Sequence, residues 1–219
     1  MTETEFLLWA RGPAFQGATV IFVLGVTFRL LEILLLGRKP DLAEPRGSAM
    51  LGGLRTIVSR SFPDAGTHKR SAFTHYMGYI FHIGFFVTLL LYAPHILVID
   101  KAFGVSWPAL PTPVIDATAV ITMIALIAVL LHRLKDPVLR FLSNFQDYFA
   151  WFLTILPLLT GYIAFHRVGL PPPTLLGIHI LSVELLMVVF PFTKLMHAFT
   201  LFMARWYNGA IAGYKGVNS

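Results

Sequence analysis

The chain has 219 residues, of which 56% are hydrophobic and 13% charged, with a mean hydropathy of +0.72. That is far more apolar than a soluble domain, so the bilayer is the expected solvent. Cysteine is absent, which excludes disulfides, thiolate-held iron–sulfur clusters, covalently attached c-type haem and cysteine nucleophiles supplied by this chain. The formal charge of +6 sits in loops between apolar runs, where it reads as a topology signal and not as a nucleic-acid footprint.

The N-terminus is acidic (Glu3, Glu5) and lacks a basic flank before the first apolar run, so the first helix is expected to stay in the mature protein. A helical span takes roughly 20 apolar residues at about 1.5 Å each. Five segments qualify, at 14–36, 75–99, 114–131, 149–165 and 176–201. They predict an all-α integral membrane protein, a five-helix bundle forming a single membrane domain over 1–219. Gly37-Arg38-Lys39-Pro40, Trp107-Pro108-Ala109-Leu110-Pro111 and Pro171-Pro172-Pro173 punctuate the breaks. Pro94 and Pro157 fall inside apolar stretches, where they should bend or end helices.

Loop charge sets the expected orientation. The loop 37–74 carries Arg38, Lys39, Arg46, Arg55, Arg60, Lys69 and Arg70. The third loop carries Arg133, Lys135 and Arg140, and the tail carries Arg205 and Lys215. All three are expected on the cytoplasmic side of a prokaryotic inner membrane. The second loop balances Lys101 against Asp100 and the fourth holds only Arg167, so the N-terminus is expected outside and the C-terminus in the cytoplasm.

Eight histidines stand in this apolar chain. His68, His132 and His166 fall at or beyond predicted helix ends, where an imidazole can sit among headgroups. His82, His95, His179 and His197 lie within or near the apolar parts of the second and fifth helices, where an unpartnered polar ring costs several kcal/mol, so metal ligation is the expected role. On an unbroken fifth helix, His179 and His197 lie 18 residues and five turns apart, on one face and about 27 Å apart along the axis. Two stacked b haems, each held by two histidines, need that arrangement. The antiparallel second helix then pairs His82 with His197 on the cytoplasmic side and His95 with His179 on the outer side. The 13 residues from His82 to His95 put them some 140° apart on an ideal helix, a mismatch that a break at Pro94 would relieve. His75, two turns before His82, is the reserve ligand.

The strings Phe81-His82-Ile83-Gly84 and Phe190-Pro191-Phe192-Thr193-Lys194-Leu195-Met196-His197 resemble the haem-binding helices of the gamma subunit of respiratory nitrate reductase and related gamma-like membrane cytochromes. The resemblance implies two haem b groups, with His82 and His197 at the inner one and His179 at the outer. It also implies quinol oxidation near the outer haem and electron delivery to a cytoplasmic iron–sulfur subunit and its catalytic subunit. Where the family carries its second ligand on the second helix, this chain has Tyr92, and the nearest histidine is His95.

Other polar groups inside the apolar segments have two readings each. Arg29 shares a face with Glu32 and suits either an ion pair or a haem propionate, and Lys194 suits a propionate or the headgroups. Glu184, five residues after His179, suits proton uptake from quinol or an ion pair with Arg29. The resemblance places a quinol site near the outer haem, where His95, Asp100 and Lys101 are the available polar groups. The same scaffold could instead reduce quinone for a dehydrogenase or hydrogenase. A rival of another class is a cofactor-free transporter or membrane anchor whose intramembrane histidines and Glu184 relay protons or bind substrate.

Overall fold

The computed structural model describes residues 1–37 and 42–217, so Arg38, Lys39 and Pro40 of the first predicted loop lie outside the described residues. These residues are helical, with no strand among them: α1 Glu3–Trp9, α2 Phe15–Leu35, α3 Ala49–Ser59, α4 Ala65–Leu91, α5 Ala93–Phe103, α6 Thr112–Lys135, α7 Pro137–Leu142, α8 Phe145–His166, α9 Pro172–Val189 and α10 His197–Tyr214. A π-helical segment, Ala10–Ala14, joins α1 to α2, and two 3-10 turns join α9 to α10. Among the described residues five helices are long and apolar enough to cross a membrane: Glu3–Leu35, Gly66–Leu91, Thr112–Lys135, Phe145–His166 and Pro172–Phe192. This is the make-up of a multi-pass membrane protein in contact with lipid.

The expected bounds differ from these in four places. The first span starts at Glu3, because Thr2 caps it and the chain passes Pro13 through the π segment without leaving the helix. The predicted loop 37–74 contains α3, capped by Ser48, and the beginning of α4, capped by Asp64. The predicted helix 75–99 breaks at Tyr92, which is extended (φ −87°, ψ 125°). Pro94 is the cause, since it has no N–H for the carbonyl four residues back and its ring collides with that turn. The predicted helix 176–201 breaks at 190–196, where Pro191 heads one 3-10 turn and Thr193 is extended (φ −123°, ψ 174°). The five-turn relation between His179 and His197 therefore does not hold, because no single helix carries both.

Two compact units emerge from the packing, Met1–Ala18 with Ser71–Leu186, and Thr19–Arg70 with Met187–Ser219. One boundary falls at the Ser71 kink in α4 (φ −128°, ψ 20°). Within the first unit helices approach closely through glycines. A Cβ at Gly84 would run into the Thr122 side chain of α6, and one at Gly177 would run into the Phe6 ring. Trp151 Nε1 donates to the Leu126 carbonyl at 2.8 Å and ties α8 to α6.

The α4–α5 break is closed by its own loop. Pro94 leaves the Leu90 carbonyl without its helical donor, and Trp107 Nε1 donates there at 2.6 Å, while Leu110 N donates to the Leu91 carbonyl at 2.9 Å. The second unit is held at two places. Pro191 lies against Gly25 of α2, where a Cβ would stand 2.6 Å from the proline ring, and Phe22, Phe190 and Phe199 cluster with centroid separations of 5.5–6.1 Å. Antiparallel α3 and α10 meet through Gly52, Gly53, Thr56, Gly209 and Gly213, and Arg205 donates to Ser61 at 3.0 Å.

Candidate functional site

The break at Tyr92 starts α5 on a new course and places His95 in its first turn. There the ring turns back on the end of α4. Its Nδ1 lies 3.0 Å from the Thr88 carbonyl and 3.2 Å from the Leu89 carbonyl, two groups left over at the helix C-terminus. A carbonyl only accepts, so Nδ1 carries the proton and Nε2 keeps its lone pair.

His179 is held the same way from α9. Its Nδ1 lies 3.3 Å from Thr160 Oγ1, with the Pro157 backbone as a further partner. Thr160 in turn lies 2.8 Å from the Leu156 carbonyl and 2.8 Å from Ser182 Oγ. The Pro157 backbone has no N–H and can only accept, so Nδ1 carries the proton here too and Nε2 is the lone-pair nitrogen. Gly161 leaves room for the ring, since a Cβ there would stand 2.9 Å from His179 Cε1.

The two rings lie nearly parallel, with centroids 6.2 Å apart and planes 22° apart. One metal ion between two imidazole nitrogens sets ring centres roughly 6 Å apart, because each metal–nitrogen bond is about 2 Å. A carbonyl or hydroxyl on the far nitrogen is the usual support of a metal-bound histidine. Among the described residues no group of three or more His, Asp or Glu could hold a metal ion. Two imidazoles with their Nδ1 atoms engaged elsewhere are the donor type that would hold a haem iron.

The other predicted ligands share only part of this arrangement. His82, exposed on α4, has Nδ1 2.7 Å from the Gly78 carbonyl, and with Tyr79, Ile83, Phe86, Val87, Leu90 and Leu91 it lines an open apolar groove of about 470 Å³. His197, exposed at the start of α10, has Nδ1 2.8 Å from the Lys194 carbonyl. These two histidines belong to different compact units. His75 keeps a buried Nε2 with no hydrogen-bond partner and packs edge-on against Tyr79 at 5.0 Å.

Among the predicted charges, Arg29 is paired with Glu32. Glu184 is 5% exposed, and its Oε1 has no hydrogen-bond partner. Lys194 is exposed in the second 3-10 turn, and Lys101 is exposed near the end of α5. The sequence reading missed Thr160, Gly161 and Ser182, although a glycine and two hydroxyls inside apolar helices are a signal for close approach and for a buried partner. It also missed the pair formed by His166 Nε2 and Asp116 Oδ1 at 2.8 Å, joined across 50 positions.

No family model matches the chain, and no solved structure does. A curated protein of Nitratidesulfovibrio vulgaris (strain Hildenborough), described only as "Protein", is 33% identical over 205 residues, covering 91% of this chain and 87% of that one. The chain belongs to the family of that Nitratidesulfovibrio protein.

Proposed function

We propose that this protein is a membrane-embedded b-type cytochrome subunit. In this reading it exchanges electrons between quinol and a cytoplasmic iron–sulfur partner with its catalytic subunit, in the inner membrane of a prokaryote. The observation that carries the reading is the His95–His179 pair, two rings 6.2 Å apart with both Nδ1 atoms engaged elsewhere. The likeness of the His82 and His197 strings to the nitrate reductase gamma subunit supports it, as do the five apolar helices. Loop charge supports an outside N-terminus and a cytoplasmic C-terminus.

Haem b, when bound, supplies one-electron exchange that the side chains of this chain lack. His95 and His179 would hold the outer haem, and His82 and His197 the inner one. Thr160 and the end of α4 orient the outer pair and keep its Nε2 atoms unprotonated. Glu184 is a buried carboxylate close in sequence to His179, suited to taking a proton from quinol, and Lys101 is the nearest cation in the sequence to His95. Quinol oxidation gives up two protons and two electrons. Release of the protons outside and delivery of the electrons inside would move charge across the membrane. Lys194 is an exposed cation three residues before His197, and Arg29 is paired with Glu32.

The test is a dithionite-reduced minus air-oxidised spectrum of purified protein with haem quantitation. A b-type spectrum with two haems per chain is expected, falling to one in His179→Ala and to one in His197→Ala. Protein produced with ample haem that shows no b-type signal would remove the proposal.

A further inference from the structure

α3 is an apolar helix too short to cross a bilayer, about 16 Å for its 11 residues. One side of it is already used. Gly52, Gly53 and Thr56 lie against Trp206, Gly209 and Gly213 of α10 so closely that an added Cβ at either glycine would clash. The opposite side carries Met50, Leu51, Leu54 and Val58, and Phe62 continues the stripe just past the helix end. Leu51 is 67% exposed, Val58 65% and Phe62 74%.

Charge and tether both say what covers this stripe. No acidic residue stands between Glu44 and Asp64, while Arg46, Arg55 and Arg60 all fall there. At 100° per residue Arg55 lies at the edge of the stripe, between the apolar arc and Ser59. An apolar arc edged by arginine on a helix too short to span is the pattern of a helix lying in the plane of an anionic interface. Five residues separate α3 from α4, which carries the spanning stretch Gly66–Leu91. Fully extended, they hold the end of α3 within roughly 20 Å of the foot of that span.

We propose that α3 is an interfacial membrane helix. Its Met50, Leu51, Leu54, Val58 and Phe62 side chains sit below the headgroups of an anionic leaflet, its arginines lie among the lipid phosphates, and α10 rests on its other side. This does not depend on the cytochrome reading.

The absence of cysteine makes the test direct, because one introduced cysteine labels without background. Full-length Leu54→Cys, Val58→Cys and Ser59→Cys chains would be spin-labelled in vesicles of phosphatidylglycerol and phosphatidylcholine. Collision with oxygen, which concentrates in lipid, is compared with collision with a water-soluble nickel chelate. Labels at 54 and 58 should favour oxygen, and the label at 59 should favour nickel. Adding Arg55→Glu should remove the oxygen preference at 54 in the anionic vesicles and leave it unchanged in pure phosphatidylcholine. Met50→Cys repeats the measurement on the same stripe if either label disturbs folding. Nickel preference at 50, 54 and 58 would overturn the proposal, and so would shielding from both reagents, which would mean that protein covers the stripe.

Discussion

On the proposed two-haem reading, adding one methyl group at Gly161 should strip one haem from the protein and leave the other. The Cβ of Gly161→Ala would stand 2.9 Å from His179 Cε1 and 3.2 Å from Nδ1, short of ordinary contact by about half an ångström or more. The ring cannot simply rotate away, because its Nδ1 is tied to Thr160 at 3.3 Å. Overpacking of this kind costs about 1–3 kcal/mol, and loss of the hydrogen bond adds about 1 kcal/mol. Shared between folding and haem binding, a total of roughly 2–4 kcal/mol can weaken the outer site by ten- to several-hundred-fold at about 1.4 kcal/mol per decade. The assay is pyridine haemochrome quantitation with the reduced minus oxidised spectrum on protein purified under dilute haem. Half the wild-type haem is expected, with the remainder lost only when His197 is also replaced. Gly17→Ala, where nothing lies within 4 Å, is the control and should retain both haems. Full haem content and an unchanged spectrum in Gly161→Ala would refute the placement of His179 as a ligand.

Trp107→Phe should lower thermal stability in detergent by about 1–3 kcal/mol, because the Leu90 carbonyl stranded by Pro94 loses its indole donor. A melting temperature equal to wild type would show that another donor takes its place. Glu184→Gln should keep both haems but slow their reduction by quinol, since the amide keeps the shape and cannot titrate; haem loss would instead assign the buried carboxylate to structure. The Thr67 hydroxyl, 2.5 Å away, and the Thr67 amide hold the exposed Asp64 carboxyl below its ordinary value. A depressed folded pKa means that its contribution to the α4 start is fully present above about pH 4 and is lost as pH falls through the lower folded value. Amide exchange at Gly66 and Thr67 should therefore quicken, relative to the intrinsic rate, in that acidic window, and Asp64→Asn should abolish the change.

The spans were legible because run length and composition are local properties: the runs at 114–131 and 149–165 lie inside α6 and α8 and miss only end turns. Breaks were harder to read. Pro94 stood out because His82 and His95 did not share a face, and the chain turns just before it at Tyr92. Pro191 gave no such conflict, since His179 and His197 fit an unbroken helix so well, yet a proline four residues after Met187 removes a hydrogen bond whatever the ligand spacing. α3 was hidden by its arginines, which read as loop charge although Ser48 supplied a cap. The supports of the histidine pair were out of reach for another reason. Thr160 meets His179 across 19 positions and Trp107 meets Leu90 across 17, and no local pattern encodes which helix face turns toward which.

The glycine contact between α3 and α10 joins positions some 160 residues apart in a chain of 219, with Gly52 against the backbone of Gly213. At about 5–20 residues per second, α3 is made roughly 10–30 s before the helix that covers it. Until then the glycine face of α3 lacks its α10 partner, and a chain ending before Gly209 would lack it altogether. The α3 side of the second unit therefore closes only once Gly209 and Gly213 have been made.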